Sequence, residues 1–181
     1  MKIDTQRFID RYVGTFICRI FSLYHRLVKK FVNKKLPALE PRRILIILLS
    51  EMGALVLAYP MFQRLREKYP EAELNVMLFK KNREVVELLQ IVPSKNILTI
   101  DDRSILSLIR DLLQTIAGMR RIKPDTVIDC ELFSRISSIL SFLSGAAVRI
   151  GFHPHTQEGL YRGNFINKPV LYNPYHHISN Q

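Results

Sequence analysis

The sequence predicts an α/β fold: a parallel sheet with helices on both faces, preceded by an amphipathic helix. Three observations lead there. Residues 44–49 are six consecutive large aliphatics, Ile-Leu-Ile-Ile-Leu-Leu, which suit a strand buried on both faces. Strand-like and helix-like segments then alternate to about residue 150, the pattern of right-handed crossovers in a parallel sheet. Residues 7–32, by contrast, repeat apolar pairs about every four positions between cations, the period of a helix with one greasy stripe.

A chain of 181 residues with 48% hydrophobic and 24% charged residues can bury an ordinary core, so disorder is excluded as a class. Cys18 and Cys130 lie far apart, which gives no disulfide framework and no metal-ligand pair and fits a reducing compartment. No clean apolar stretch marks a secretory signal. Of the formal net charge of +11, residues 1–35 contribute +7, from nine Lys or Arg against Asp4 and Asp10.

In the N-terminal segment the pairs are Phe8 and Ile9, Tyr12 and Val13, Phe16 and Ile17, Ile20 and Phe21, Leu27 and Val28, and Phe31 and Val32, with Tyr24 bridging the gap. Arg7, Arg11, Arg19, Arg26, Lys29 and Lys30 fall mostly off this stripe. With no uncharged run near twenty residues, the helix does not span a bilayer comfortably. Two readings stand. In one it lies in a membrane interface, with Phe8, Tyr12, Phe16 and Phe21 among acyl chains and Arg19, Lys29 and Lys30 on anionic headgroups, each cation adding on the order of 1 kcal/mol. In the other the stripe packs on the protein's own core or on another subunit. Nucleic acid fits less well, because the cations accompany a greasy face and no nucleic-acid motif appears. Residues 33–41, with Pro37 and Pro41, read as a linker, so the chain divides into 1–41 and 42–181.

The later elements follow in order. After the first strand, Ser50, Glu51, Met52 and Gly53 make a polar turn, and Leu55, Val56, Tyr59, Phe62 and Leu65 recur at helical spacing up to Lys68 and Pro70. On hydropathy alone residues 44–62 also resemble a membrane span, but Glu51 and Gly53 at its centre and the regular units after it argue against one. Residues 73–79 read as a second strand, 83–90 as a short helix and 96–100 as a third strand. Ser104 caps a helix running to about Arg121 with Ile105, Leu108, Ile109, Leu112, Leu113 and Ile116 as its stripe. Residues 126–130 form a fourth strand, 132–143 a helix, 147–150 a fifth strand, 153–168 a polar loop and 170–172 a last short strand. Asn173-Pro174 reads as a helix start seven residues before the chain stops, which suggests the first part of something longer.

No glycine-rich dinucleotide turn, phosphate loop, nucleophile elbow or H-E-x-x-H follows any strand. His153, His155, His176 and His177 match no structural zinc spacing and read as loop histidines, so no metal is expected. What remains are polar residues at strand ends: Glu51 after the first, Asp129 and Glu131 around the fourth, His153 after the fifth. In a parallel sheet these ends share one rim, where ligands bind. A carboxylate there serves either as a general base or as a helix cap worth roughly 0.3–1 kcal/mol. For Asp129 and Glu131, the latter at the start of a helix, capping is favoured.

Several segments together resemble glycosyltransferase family 9, the ADP-heptose:lipopolysaccharide heptosyltransferases and their relatives. They are R-R-I-L-I-I-L-L-S-E-M-G-A-L-V-L-A-Y-P at 42–60, D-T-V-I-D-C-E-L-F-S-R at 125–135, L-S-G-A-A-V-R-I-G-F at 143–152, E-G-L-Y-R-G-N at 158–164 and Y-N-P-Y-H-H at 172–177. The resemblance implies the N-terminal, Rossmann-like acceptor domain of a two-domain GT-B enzyme, with the donor domain missing from this chain. It further implies inverting, metal-independent transfer of heptose or a related sugar to a lipopolysaccharide-core acceptor at the cytoplasmic face of the bacterial inner membrane. No cofactor is implied beyond a nucleotide-sugar donor, ADP-heptose-like, bound by the missing domain. Expected partners are an anionic glycolipid acceptor, the membrane surface and a separately encoded donor domain.

In the family pattern the first loop reads S-S-M-G-D and its Asp is the proposed base. Here Ala54 stands in that position and Glu51 replaces the second Ser. Glu51 is therefore the expected catalytic carboxylate, with Ser50, Gly53, Glu131, Arg135, His153 and Arg162 as expected acceptor contacts. Arg135 and Arg162 carry the alternative of plain surface cations. The competing reading, which Ala54 prompts, is a non-catalytic membrane-associated binding module that keeps the fold.

Overall fold

The computed structural model of the chain describes residues 3–31, 40–49, 52–132, 134–152 and 161–170. Its sheet has six parallel strands, β1 (Arg43–Ile47), β2 (Glu73–Phe79), β3 (Ile97–Ile100), β4 (Thr126–Asp129), β5 (Val148–Phe152) and β6 (Lys168–Val170), in the order β3-β2-β1-β4-β5-β6. The aliphatic run lies at the centre, β1 pairing with β2 on one side and β4 on the other. Because side chains alternate along a strand, it feeds two cores at once. Ile44, Ile46 and Leu48 face one apolar layer, Leu45, Ile47 and Leu49 the other. All six are buried, as a strand covered on both faces demands.

The first layer is closed by α3 (Met52–Lys68), through Leu55, Phe62 and Leu65, and by α4 (Arg83–Leu88), through Val85 and Val86. Residues 44–62 thus hold a strand ending at Ile47 and the first part of a helix beginning at Met52. Among the described residues no helix is long and apolar enough to cross a membrane. The opposite layer is closed by α5 (Ile105–Ile122), through Leu108, Leu112, Ile116 and Met119, and by α6 (Arg135–Leu143), through Ile136 and Leu140. Ser104 caps α5 as its sequence suggests, in a reciprocal box with Ser107 whose two bonds are 3.1 and 3.0 Å. Several boundaries differ from expectation, among them the fifth strand, which runs to Phe152 rather than 150, and the helix expected over 83–90, which ends at Leu88. The last strand begins at Lys168 rather than 170, and the helix expected over 132–143 begins only at Arg135.

The N-terminal segment forms α1 (Ile3–Ile9), a π-helical stretch (Asp10–Gly14) and α2 (Thr15–Phe31). It docks on α6, but not by the stripe that its apolar pairs suggest. The contacting ridge is Asp10, Gly14, Cys18 and Ser22, spaced by four. The Asp10 carboxylate accepts the backbone N–H groups of Arg135 and Ile136, both at 2.9 Å, and the Arg135 guanidinium at 3.2 Å. It therefore satisfies the open N-terminus of α6 and its dipole from outside the helix. Gly14 is buried at closest approach, where an added Cβ would lie 3.0 Å from Arg135 Cβ. Cys18 joins Ile139 and Phe165 in a small apolar cluster, flanked by Ile17, Phe21 and Phe142. Ser22 Oγ is bonded to the Tyr161 hydroxyl at 2.7 Å and accepts the Asn164 N–H at 3.0 Å. Every described residue of α6 is consequently buried or half-buried, covered by sheet, α5 and α2.

The rest of the stripe faces outward: Phe8, Tyr12, Val13, Phe16, Ile20, Leu23, Tyr24 and Leu27 are exposed, Phe8 by 62% and Phe16 by 65%. The core-packing reading thus holds for part of the segment. Ile17 and Phe21 pack on the domain, while the remaining aromatics stay uncovered.

Burial pushes the Cys18 thiol up to about 12, and the nearby Asp10 carboxylate adds to the effect. The docked helix should therefore protect Cys18 from thiol reagents. Overpacking the ridge with Gly14→Leu costs about 1–3 kcal/mol, so native-state labelling of Cys18 should rise by about five- to 150-fold. Labelling of Cys130, outside the contact, should not change. Peptide mass spectrometry after timed alkylation reads both.

Candidate functional site

The strand order fixes where a ligand can enter. From β1 the chain crosses to β2 on one side, and from β4 to β5 on the other, so the order reverses between β1 and β4. A crevice opens outside the carboxyl ends of strands at such a point. The register places Ile47 beside Asp129 and Asp129 beside Gly151, so the segments after β1, β4 and β5 leave the sheet at one level. Cys130 N–H donates to Ile47 C=O at 3.0 Å, extending the ladder one residue into the rim.

Ser50, Glu51 and His153 lie outside the described residues. Of their chain neighbours, Leu49 follows β1 in the core, Met52 opens α3 and Phe152 ends β5. Gly53 is in the exposed first turn of α3, where an added Cβ would touch nothing within 4 Å, so no close approach there requires glycine. Ala54 is half-buried and packs into the layer beneath α3.

Asp129, at the end of β4, is fully buried and is the hub of the rim. Its Oδ2 takes an Nη of Arg162 at 2.5 Å and the Ser137 hydroxyl at 3.1 Å, and its Oδ1 takes the Glu131 N–H at 3.1 Å. Burial pushes this carboxyl up to about 6, opposed by the Arg162 guanidinium, the Glu131 N–H and the Ser137 hydroxyl. Arg162, with 3% of its side chain exposed, also donates to the carbonyls of Ser134 at 2.8 Å and Leu132 at 3.4 Å and to Ser137 Oγ at 2.9 Å. It is therefore no surface cation, and its charge is answered inside the protein. A buried pair with this many bonds braces a loop.

Arg135 sits in the first turn of α6 with its guanidinium against Asp10, 8% exposed on its side chain. It too is no surface cation. Glu131 lies between β4 and α6, buried at the crevice, and is not in a helical first turn as its sequence position suggests. The N-cap of α6 is Ser134, whose Oγ accepts the Ser137 N–H at 3.4 Å. Asp129 likewise does not cap α6; it holds Arg162. Glu131, Arg135 and Arg162 are thus gathered around the segment after β4, two of them as braces.

Sequence reasoning missed Asp10, Ser134, Ser137 and Ser22, which hold the rim and its helix together. The spacing Ser134-x-x-Ser137 after a strand was a visible cap signal. Among the described residues no three His, Cys, Asp or Glu side chains are grouped to share a metal ion. A separate groove at the far end of the sheet, lined by Arg66, Glu87, Gln90, Val92, Pro93 and Ser94, is bridged by Arg66 donating to the Gln90 and Ile91 carbonyls.

Solved structures share this architecture. A glycosyltransferase family 9 protein from Veillonella parvula aligns with a TM-score of 0.64 and 19% identity, over 77% of this chain and 38% of its own. The E. coli heptosyltransferase WaaC with ADP aligns at 0.59 and 17% identity, over 76% of this chain and 43% of its own. Its complex with ADP-2-deoxy-2-fluoro heptose aligns at 0.54 and 16%, over 76% and 45%. The chain has the family 9 glycosyltransferase fold. It spans less than half the length of each of these neighbours, and at such identities the likeness is one of fold. No protein-family model matches the chain, and no curated protein matches its sequence.

Breaking the buried pair from one side should destabilise the domain by about 3–5 kcal/mol. That cost is expected of Asp129→Asn and of Arg162→Met in urea denaturation. The double variant Asp129→Leu/Arg162→Met should cost clearly less than the two single variants together, because no charge is then stranded.

Proposed function

We propose that this chain is the acceptor-binding half of an inverting, metal-independent glycosyltransferase. It would move heptose or a related sugar from a nucleotide sugar to an anionic lipopolysaccharide-core acceptor, working on the cytoplasmic face of a bacterial inner membrane. The observation that carries this reading is the crevice at the β1/β4 switch point, in a sheet that aligns with family 9 glycosyltransferases. Two of the aligned structures are those of a heptosyltransferase with ADP and with a fluorinated ADP-heptose, which supports a nucleotide sugar as donor. That donor would be held by a second domain facing the crevice. The chain alone would then bind acceptor without turning over.

Glu51 is the proposed base, taking the proton of the acceptor hydroxyl as it attacks the anomeric carbon and the nucleotide diphosphate leaves. Ala54 supports this assignment over its own position: it is a methyl group packed into the α3 layer and cannot accept a proton. Ser50, Gly53, Glu131 and His153 are the proposed acceptor contacts at the rim, with Arg135 and Arg162 holding the segment on which Glu131 stands.

The N-terminal helix supports a membrane setting. Since α2 runs alongside α6 from the rim downward, α1 rises beyond the α6 N-terminus by seven residues, or about 10 Å at 1.5 Å per residue. Phe8 and Tyr12, with ring centroids 4.6 Å apart, stand at the crevice end. With Phe8, Tyr12 and Phe16 in the interface and Arg7, Arg11, Arg19 and Arg26 on headgroups, the bilayer surface would lie beside the entrance for a lipid-borne acceptor.

The second reading, a non-catalytic binding module, is favoured by the same Ala54. Sugar transfer from ADP-heptose to lipid acceptors separates the two. The enzyme reading predicts product only when the chain is mixed with the polypeptide encoded downstream, and a loss of at least about 100-fold with Glu51→Gln. Vesicle and acceptor binding with no transfer in either sample would establish the module instead.

A further inference from the structure

We infer that the outward face of α5 is a second lipid-contacting surface, which together with the N-terminal helix docks one whole side of the domain on an anionic bilayer. This rests on the membrane reading of the N-terminal helix proposed above and extends it to a part of the fold the sequence assigned only to the core.

The observation is a second apolar stripe without a partner. One face of α5 packs on the sheet through Leu108, Leu112, Ile116 and Met119. Away from it, Ile105, Leu106, Ile109 and Leu113 are exposed, Leu106 by 82% and Leu113 by 64%. Four large aliphatics within nine residues of one helix are far from the scattered single residues that a soluble surface carries at no consequence.

Position and charge name the occupant. α5 and α6 share one layer on one face of the sheet, and α2 packs on α6, so both exposed stripes belong to the same side of the molecule. At the base the two elements of that layer are tied, Arg120 Nε donating to the Leu143 carbonyl at 3.0 Å. Neither helix surface offers an exposed carboxylate among the described residues. Asp10 is turned into α6, and Asp111, the single acid of α5, accepts the Asp101 N–H at 3.1 Å. Exposed cations border both stripes: Arg11, Arg19 and Arg26 on the N-terminal helix, Arg110, Arg120 and Arg121 on α5. Greasy residues rimmed by cations, on two helices of one side, match an anionic lipid surface. A donor domain facing the crevice would meet the carboxyl rim rather than the length of this helix layer.

The chain contains no tryptophan, so one introduced indole reports one site. Phe16→Trp, Leu113→Trp and Leu88→Trp place it on α2, on α5 and on α4, the last 82% exposed on the opposite face of the sheet. With vesicles of phosphatidylethanolamine and phosphatidylglycerol, emission should shift to the blue and be quenched by brominated acyl chains for Phe16→Trp and Leu113→Trp, but not for Leu88→Trp. Leu106→Glu/Leu113→Glu should weaken vesicle binding by at least about tenfold. A response at position 16 without one at 113 would overturn the α5 surface and leave the N-terminal anchor standing. No response at either would overturn the membrane reading itself. An equal response at position 88 would mean unspecific adsorption, and a shift at 113 that follows protein concentration without lipid would mean a second copy covers α5; either result sinks the inference.

Discussion

The Asp129–Arg162 pair is the contact on which one side of this molecule depends. Two charges taken from water cost several kcal/mol each, and only a near-complete set of partners offsets that. Here the set is supplied by the end of β4, the first turn of α6 and the returning segment 161–165, so all three must be in place together. Gly163 sharpens the requirement. Its φ of +85° and the Phe165 ring 2.2 Å from where a Cβ would stand leave room for no other residue, and the same bend sends Arg162 to Asp129 and Phe165 into the cluster beneath Cys18.

From that brace the N-terminal helix follows. Tyr161 and Asn164 hold Ser22, Phe165 lies against Phe142 with ring centroids 4.9 Å apart, and Asp10 closes the top of α6. The helix is seated by one acidic cap, one close backbone approach and two polar bonds, with a small apolar cluster between them. Phe8, Tyr12 and Phe16 stay exposed. That division of labour allows one helix both to complete a fold and to offer a surface.

The sheet was legible in the sequence because burial on both faces leaves a strong mark: the aliphatic run that begins in β1, and Glu73–Phe79 as a strand to the residue. The Ser104 cap was legible because capping is local chemistry. The seating of the N-terminal helix was not. A reader of hydropathy follows Phe8, Tyr12 and Phe16, whereas the chain docks by Asp10, Gly14, Cys18 and Ser22, small or polar residues whose fit depends on α6, over a hundred positions away. The start of α6 was misplaced for a related reason: Leu132 looks helical, but Arg162 takes its carbonyl and the turn waits for Ser134. Pairing between Asp129 and Arg162, 33 residues apart, leaves no periodic trace at all.

The central claim is that the crevice between β1 and β4 receives the acceptor of a sugar transfer. Backbone amide shifts, recorded by NMR while a phosphorylated lipopolysaccharide-core oligosaccharide is added, test it without requiring turnover. The account predicts that perturbed amides cluster at Leu48, Leu49, Met52, Gly53 and residues 130–134, with α3 and α4 beyond their first turns unmoved. Shifts centred instead on the far groove of Arg66, Gln90 and Ser94, or none at saturating oligosaccharide, would contradict it.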